Sequence, residues 1–424
     1  MNLVWATITA LDDGVYHAAV DGRDGQSRVI VYPDLTGPVA LGDRVLLNTT
    51  AVDLDLGTGG DHFVVARIPK DGQPYGVALS DESGGHIMKL RYSPLQRDVL
   101  TIEAPESSTH AVMRGAVSLE GVPVVCCGLH SQVPVVAATV KAHAPHLRVG
   151  YVMTDQAALH LGYSRLIAQC VEEGLIDATI TVGQAIGGQR EAVTLHSGLL
   201  GLCHLDACEV IITAIGPGVA GTGTPFGHGG IAQGEAINAV AALGGRPIAV
   251  LRMSFADERQ RHRGISHHTL TALESVALAE AVIAVPFLED PAQRAEVEKQ
   301  LDGLAGALSH QGVFFAESVF DEQTLRHIDV RTMGRGPQHD PIFFEAAAAA
   351  GVVAAQIGAA ASEQAFAAFA QTRSNITEQG CSPDACAGCG RTCTTPLTGQ
   401  SEDSTQAPID PDDLSSPEST DDTD

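Results

Sequence analysis

The segment 252–269 concentrates side chains that bind anions and transfer protons. It reads RMSFADERQRHRGISHHT and holds four arginines and three histidines in a chain that is acidic overall. Guanidinium groups match the oxygens of carboxylates and phosphates, and an imidazole can accept or donate a proton near neutral pH. The residues expected to carry this chemistry are Arg252, Arg259 and Arg263 for anion binding, and His267 or His262, oriented by Asp257, as general acid or base.

Two other interpretations of this segment stay open. Asp257 and Glu258 could neutralise part of the positive charge on a solvated turn, with Ser266 serving only to cap the following helix. Asp257, His262 and His267 could instead bind a divalent metal, although no HxxxH or HxH spacing enforces it. The concentration of arginine favours the anion site over both.

A second candidate is the glycine-rich segment 216–230. It reads GPGVAGTGTPFGHGG and contains a GxGxxG pattern directly after an apolar run. Glycine lets backbone N–H groups approach a phosphate or carboxylate closely. A dinucleotide is disfavoured, because Pro217 removes one N–H donor and Arg252 stands where an acidic residue would bind the ribose. A nucleotide remains an alternative, as does a purely structural turn. The loop residues expected to bind ligand are Gly216, Gly218, Gly221, Thr222, Gly223 and Thr224.

Four cysteines near the C-terminus have the spacing of metal ligands. They follow the pattern CxxxxCxxCxxxC, in a segment too polar to bury four thiols as apolar side chains. The set suits a zinc ion or an iron-sulfur cluster, although it matches neither common ferredoxin spacing throughout. Redox-active thiols and an accidental cluster are the alternatives. Elsewhere, Cys126 and Cys127 beside His130 could supply a nucleophilic thiol, although packing is the commoner role. The expected metal ligands are Cys381, Cys386, Cys389 and Cys393.

The segment from 122 to 315 alternates apolar runs of strand length with periodic runs of helix length. Such alternation predicts a parallel sheet covered by helices on both faces. An open, doubly wound, Rossmann-like sheet is expected rather than a closed barrel, because the barrel needs eight strand-helix units and only seven are found. The predicted strands are 122–127, 148–153, 177–182, 209–215, 247–252, 282–285 and 312–315, and the predicted helices are 133–143, 156–173, 191–202, 230–243, 269–280, 291–309 and 341–372.

Polar and glycine-rich sequences follow the ends of five predicted strands. No predicted strand is preceded by a comparable group of such residues. In parallel α/β sheets, ligands bind outside the carboxyl ends of the strands. We therefore expect His130, after the first strand, and Asp155, after the second, to contribute to ligand binding with the two loops above. Long loops with ordinary turn chemistry are the alternative explanation.

The N-terminal part of the chain has a different pattern, with short β-rich runs separated by Asp-Gly and Gly-Asp turns. This pattern predicts a small antiparallel barrel. The expected organisation is a barrel-like domain at 1–75, a connecting segment at 76–120, the α/β domain at 121–372 and a cysteine-rich, acidic, largely disordered tail at 373–424.

The net charge excludes several classes of partner. The 424 residues carry a formal charge of −26 at pH 7, which repels nucleic acid phosphates and anionic membranes. The first residues lack the basic and apolar regions of a signal peptide, and the longest weakly polar stretch, 346–361, is short for a membrane span. We expect a cytoplasmic protein that binds a small anionic metabolite, with a protein partner or a homo-oligomer left open.

Several of these loops resemble a bacterial family known as domain of unknown function 3866. The similarity lies in segments 179–199, 216–234 and 252–273, with the LGTGG turn at 56–60 and MGRGP at 333–337. It extends over roughly residues 3–370 and leaves the acidic tail outside. The resemblance implies a shared site at the strand exits and, on its own, supplies no reaction.

Two functions fit these observations. The first, which we favour, is an enzyme that binds a small phosphate- or carboxylate-bearing substrate through the glycine-rich and arginine-histidine loops. The second is a non-catalytic sensor or adaptor, in which the α/β domain binds a metabolite and the cysteine centre reports metal or redox state to a partner. Turnover of a substrate distinguishes the two.

Overall fold

The computed structural model describes residues 2–12, 14–55, 60–68, 85–91, 96–156, 160–304, 313–316, 320–325 and 327–360. The predicted C-terminal tail, including its four cysteines, lies outside these residues. The described part of the chain forms an N-terminal barrel, a short hairpin and an α/β domain.

Five N-terminal strands close into the expected small barrel, in the order β1-β2-β3-β5-β4. Alternate residues of β1 point inward, so that Ala6 and Ile8 are almost fully buried. One pair departs from the antiparallel prediction, because β3 and β5 are parallel. A closed barrel with an odd number of strands cannot be antiparallel throughout. The elements are β1 (Leu3–Asp12), β2 (Val15–Val20), β3 (Ser27–Ile30), α1 (Pro33–Thr36), β4 (Arg44–Asn48), α2 (Thr50–Asp53) and β5 (His62–Ile68).

The segment expected to connect the two domains also packs on the second one. It contains the antiparallel hairpin β6 (Ile87–Lys89) and β7 (Arg97–Val99) and the helix α3 (His110–Gly115). Ile102, Met113 and Leu119 are buried in the core shared with the sheet. This stretch therefore belongs structurally to the α/β domain as well as leading into it.

The α/β domain is built on an open sheet in which every neighbouring pair is parallel, as predicted. Seven strands correspond to the seven predicted ones, and a two-residue strand is added at one edge. The order is β11-β10-β9-β12-β8-β13-β16-β17. These strands are β8 (Pro123–Cys126), β9 (Val149–Thr154), β10 (Ala178–Thr181), β11 (Arg190–Glu191), β12 (Val210–Ile215), β13 (Arg246–Val250), β16 (Val282–Pro286) and β17 (Val313–Ala316); a separate antiparallel ribbon pairs β14 (Met253–Ser254) with β15 (Gly264–Ile265).

Helices cover both faces of the sheet, which confirms the doubly wound arrangement. One face packs against α4, α5 and α10, and the other against α6, α7 and α9. The chain leaves β8 toward the first face but leaves its neighbours β12 and β13 toward the second. In doubly wound sheets, the carboxyl ends of strands at such a change of side are where ligands bind. The helices are α4 (Val133–His143), α5 (Arg165–Glu172), α6 (Leu195–His204), α7 (Ala232–Ala242), α8 (His267–Thr271), α9 (Pro291–Leu304) and α10 (Pro341–Ala359).

Capping side chains explain where several helices differ from their predicted bounds. The helix predicted to begin at 156 begins at Arg165, because the hydroxyl oxygen of Ser164 accepts the backbone N–H of Ile167. The helix predicted at 269–280 begins earlier, at His267, and ends in a π-helical turn at Ala272–Val276. Its end is bound by Asn238 of α7, whose amide donates to the Val276 carbonyl at 2.9 Å.

The helix α10 is the most apolar of the described helices and lies in the core. Its length and composition would suffice for a membrane span, but 72% of its most apolar window is buried inside the domain. It packs closely on α4, so that a Cβ added at Gly351 would lie only 2.7 Å from the Cβ of Thr139. Burial in this core accounts for its alanine-rich sequence.

Candidate functional site

Four imidazole rings meet where the loops that follow β12 and β13 converge. His228 comes from the glycine-rich loop, and His262, His267 and His268 come from the arginine-histidine loop. The rings of His228 and His268 are stacked with centroids 3.8 Å apart. The His267 ring lies 4.4 Å from that of His268, and the His262 ring lies 5.0 Å from both. We call these four residues the histidine cluster.

Local structure fixes the position of three of these rings. The β14–β15 ribbon folds the loop back on itself, and Gly264 adopts a φ of +65° at the return. The Ser266 oxygen then accepts the N–H of His268 at 3.3 Å and starts α8. The same hydroxyl lies 2.7 Å from Nδ1 of His262. Ser266 therefore both caps the helix and orients an imidazole.

Several ring nitrogens in the cluster have no hydrogen-bond partner within the described residues. Both nitrogens of His228 and Nε2 of His267 are buried and lack such a partner. The Pro225 carbonyl acts electrostatically on His228 without reaching hydrogen-bonding geometry. A buried polar atom left without a partner costs about 1–3 kcal/mol. The cluster is thus incompletely satisfied by the protein's own groups.

Burial keeps these imidazoles neutral at pH 7. It lowers the pKa of His262 to about 3 and that of His268 to about 2, and nearby positive charge, including Arg252, adds to the effect. Burial is also the main cause that lowers the pKa of His228 and of His267. Each neutral ring therefore has one nitrogen lone pair, which on His268 accepts the hydrogen bond from Arg252.

Arg252 is buried beside the cluster and lacks a carboxylate partner among the described residues. It is 8% exposed, and its Nη1 donates to Nδ1 of His268 at 3.1 Å. Burial lowers its pKa to about 10, so it remains charged at pH 7. The two carboxylates that act on it electrostatically, Asp257 and Asp340, are bound by Arg259 and Arg335. Three guanidinium groups thus face two carboxylates, which leaves one positive charge in excess.

The contacts of this loop bear on two of the predicted roles. Asp257 makes no hydrogen bond to an imidazole among the described residues, and both of its carboxylate oxygens bind the guanidinium of Arg259, at 2.9 and 2.7 Å. These bonds hold the pKa of Asp257 well below its usual range. Arg263 points away from the cluster, since it lies 3.6 Å from Glu296 of α9 and covers the ring of Phe255. Of the three predicted arginines, Arg252 is therefore the one best placed to bind an anion.

The glycine-rich loop reaches the cluster but uses much of its own backbone. Gly216 is buried directly after β12, whereas Gly218 and Gly223 have φ values of +90° and +76° that favour glycine. A Cβ added at Gly221 would lie 3.7 Å from Cε1 of His268. The backbone N–H groups of Thr222, Gly227 and Gly229 all donate within the loop.

The two threonines of this loop close its tip. Their hydroxyl oxygens lie 2.9 Å apart, and Thr222 donates to the Gly227 carbonyl while Thr224 accepts the Gly227 N–H. The loop therefore folds as a hairpin over the cluster. The N–H groups used in this way belong to residues 222–229, which follow the GxGxxG pattern at 216–221.

His130 and Asp155 lie in other polar contacts at the same sheet edge. The Nε2 atom of His130 is 2.6 Å from the Ser164 hydroxyl, and burial lowers its pKa to about 4. Asp155 accepts the backbone N–H of Gln184, in the loop after β10. Neither makes a described contact with the histidine cluster, so the five strand exits form more than one neighbourhood.

A further buried cation was not expected from the sequence. Lys89 of β6 is 1% exposed, and its ammonium group donates to the carbonyls of Thr181 and Ala185 at 3.2 and 2.7 Å. Its third partner is the Glu191 carboxylate at 2.7 Å. We call these four residues the lysine cluster. It joins the β6–β7 hairpin to the β10–β11 edge of the sheet.

Other site residues were also missed by reasoning from the sequence. His228 stood in a loop chosen for its glycines, and Arg335 in a segment noted only for its family resemblance. Asp340 immediately precedes α10 and accepts the Ser254 hydroxyl at 2.8 and 2.9 Å. In the sequence, the signal for Asp340 was a polar residue directly before Pro341, the first residue of an apolar helix.

The thiols do not form a nucleophilic site within the described residues. Cys126 and Cys127 are fully buried, and burial raises the pKa of both thiols well above the usual range. They therefore stay protonated and pack as apolar side chains. The predicted metal ligands Cys381, Cys386, Cys389 and Cys393 lie outside the described residues.

Comparison with known proteins places the chain in a family without a known reaction. The family model described as a protein of unknown function, DUF3866, matches residues 28–351, which is more than half of the chain. The chain belongs to the DUF3866 family. The match includes the barrel from β3 onward and both loops that form the histidine cluster, so the site lies within the DUF3866 region. No curated protein and no solved structure matches the chain.

Proposed function

We propose that this DUF3866 member is an enzyme that binds a small phosphate- or carboxylate-bearing substrate through Arg252 and transfers a proton through the histidine cluster. The observation that carries the proposal is the buried guanidinium of Arg252, which no described carboxylate pairs. A buried charge without a partner is costly, and an anionic ligand would supply the missing countercharge. The neutral imidazoles beside it have lone pairs that can accept a proton, and the negative charge of a bound anion would raise their lowered pKa values toward neutrality.

The roles of the cluster residues follow from their contacts. His267 is proposed as the general base, because its buried Nε2 has no partner among the described residues. His262, which is bound to Ser266, supports the start of α8 and can exchange protons with the neighbouring His267 ring. Asp257 acts indirectly, since it holds Arg259 and leaves Arg252 uncompensated.

A thermal-shift panel of phosphorylated and carboxylated metabolites, each with a neutral analogue, tests the proposal. A binding anion at a hundredfold excess over its Kd should raise the melting temperature by roughly 3 °C. The shift should disappear in Arg252→Ala and persist in Arg263→Ala, which removes an exposed arginine of the same loop that pairs with Glu296. Failure of every anion to stabilise the wild-type protein would overturn the proposal.

Turnover then separates an enzyme from a sensor. Mass spectrometry of small molecules retained through purification supplies candidate substrates. With an active substrate, His267→Ala should lower kcat by about a hundredfold or more while the anion still binds. A sensor would show ligand binding without turnover in the wild-type protein. The sensor alternative depends on the cysteine tail, which lies outside the described residues.

A further inference from the structure

We propose that His228, His267 and His268 bind one divalent transition-metal ion with the ligand preference of zinc. The site stands on the geometry of three imidazoles, and its role in binding substrate rests on the proposed function. With the ion bound, His267 serves as a ligand, and the general-base role passes to His262, the other histidine expected to transfer a proton. The sequence analysis considered a metal on Asp257, His262 and His267 instead. The structure replaces two of those ligands, because Asp257 is held by Arg259 and the His262 Nδ1 atom by Ser266.

The three rings are already close enough for a single ion. One ring nitrogen from each lies within 4.8 Å of the others. A tetrahedral zinc ion with Zn–N bonds of about 2.1 Å needs its nitrogens about 3.4 Å apart. The rings therefore need to approach by roughly 1 Å, with the His228 and His268 stack opening to let both lone pairs face the ion.

The nitrogens at this position lack the partners that a structural cluster would have. Both nitrogens of His228 and Nε2 of His267 are buried and unpartnered within the described residues. Imidazole is the commonest protein ligand of such metals, and it binds in the neutral form. Because burial already keeps these rings neutral, few protons would have to be displaced at pH 7.

The third ligand connects the metal to the anion site. A guanidinium group only donates, so His268 must accept the hydrogen bond from Arg252 at its Nδ1 atom. A metal on that nitrogen would replace the bond directly. A metal on Nε2 would move the ring proton to Nδ1, where it would face the Arg252 donor. In both cases Nη1 of Arg252 becomes free to bind substrate.

The charge balance also favours binding of an anion beside the metal. Around Arg252, three guanidinium groups already stand against two carboxylates, and Arg261 adds positive charge near His267. A divalent ion would add two further positive charges. An anion is then needed to complete the site. Three histidines leave the fourth position of a zinc ion open, which is the ligand number of catalytic rather than structural zinc sites. Metal and anion should therefore bind with positive coupling.

The experiment uses the full-length, untagged chain with Cys381, Cys386, Cys389 and Cys393 replaced by serine, so that the tail cannot bind the metal. After removal of metal with a chelator, zinc is titrated against a chromophoric competitor, and cobalt is added separately to record its visible spectrum. We expect one equivalent of zinc and the strong visible absorption of tetrahedral cobalt. Loss of an outer-shell partner already costs about 10- to 100-fold in metal affinity, so removal of a ligand in His228→Ala, His267→Ala or His268→Ala should weaken zinc binding by about a hundredfold or more.

A matched control separates the loss of a ligand from a general effect of removing a histidine, and a second measurement tests the coupling of metal to anion. His196→Ala, at an exposed position in α6, should bind zinc like the parent chain. Each variant is checked for cooperative unfolding, and His228→Gln provides a larger side chain should the alanine variant fail to fold. In the parent chain, one equivalent of zinc should increase the thermal shift produced by the anion.

Absence of a zinc equivalent in the serine background, or equal binding in folded His228 variants, would overturn the metal site. If anions then still stabilise the chain through Arg252, the proposed function survives the loss of the metal. If zinc binds as expected but no anion produces a shift, the metal site stands and the proposed function fails.

Discussion

The lysine cluster and the histidine cluster are both buried and polar, and both lie at the carboxyl edge of the sheet. In the first, the three protons of the Lys89 ammonium group meet three oxygen acceptors, including the Glu191 carboxylate. In the second, three ring nitrogens and the charge of Arg252 remain without a partner in the described chain. The comparison separates a polar group whose partners all lie in the described chain from one that we propose binds a ligand.

The difference also explains how each cluster is built. The lysine cluster joins separate parts of the chain, since β6 donates to the loop after β10 and to β11. Its contacts determine how the hairpin packs on the sheet. The histidine cluster comes from two loops that have turns and caps of their own, and the described side-chain hydrogen bonds of its rings are those of His262 with Ser266 and of His268 with Arg252. Buried polarity alone is therefore a weak guide to function, and unsatisfied buried polarity is a stronger one.

The largest expected decrease in the free energy of unfolding follows from removal of the ammonium group of the lysine cluster. Lys89→Met leaves the Glu191 carboxylate, which is 15% exposed, without its cation. Removing one partner of a buried ion pair typically costs about 3–5 kcal/mol. Urea unfolding should show a loss of this size, and adding Glu191→Gln should restore part of it. Anion binding by the folded fraction should not change, and a loss of binding would place Lys89 in the site instead.

His130 should give a pH-dependent effect. Its folded pKa of about 4 lies below the ordinary value of 6.5, so the unfolded chain binds the extra proton first as the pH falls. As the pH falls from about 6.5 to about 4, this difference in proton binding lowers the free energy of unfolding by at most about 3 kcal/mol. Unfolding free energies measured between pH 7.5 and 4.5 should fall less steeply for His130→Gln than for wild type. Parallel curves would show that His130 is not buried in its neutral form.

Arg252→Met should have a smaller effect on stability, despite the burial of this residue. The substitution removes a charge that lacks a described countercharge, so the free energy of unfolding without anion should change by about 1 kcal/mol or less. This behaviour contrasts with that of Lys89→Met. The measurement is urea unfolding in a buffer free of phosphate and carboxylate. A loss as large as that of Lys89→Met would mean that Arg252 is structural.

The smallest effect on the stability of the rest of the chain is expected from substitutions in the tail. We propose that Cys381, Cys386, Cys389 and Cys393 hold their own zinc ion or iron-sulfur cluster. Replacing all four by serine should remove that metal, as detected by metal analysis after anaerobic purification. The melting temperature of the rest of the chain should shift by less than about 1 °C, because coordination energy in a short segment is local. A larger shift would show that the tail supports the two clusters.

Much of the fold follows from local pattern, whereas the site depends on contacts that pattern does not specify. Buried strands such as β12 were predictable because every residue in them is apolar or small. The convergence of two loops followed from the rule for parallel sheets. The partners of Asp257 and Arg263 did not, since their ion pairs depend on side-chain rotamers and on a helix distant in sequence. Lys89 was missed because a lysine in a short polar hairpin normally lies in water.

The position of α10 determines when the domain can be completed during synthesis. This helix covers the sheet face also covered by α4, although about two hundred residues separate the two in the chain. Until α10 has been made, the apolar side of α4 and the central strands lack their cover and are open to association with other chains. The close fit of Gly351 against Thr139 leaves no room for a larger residue. Substitutions in this helix should therefore reduce the yield of folded protein, while the molecules that do fold keep an unchanged ligand site.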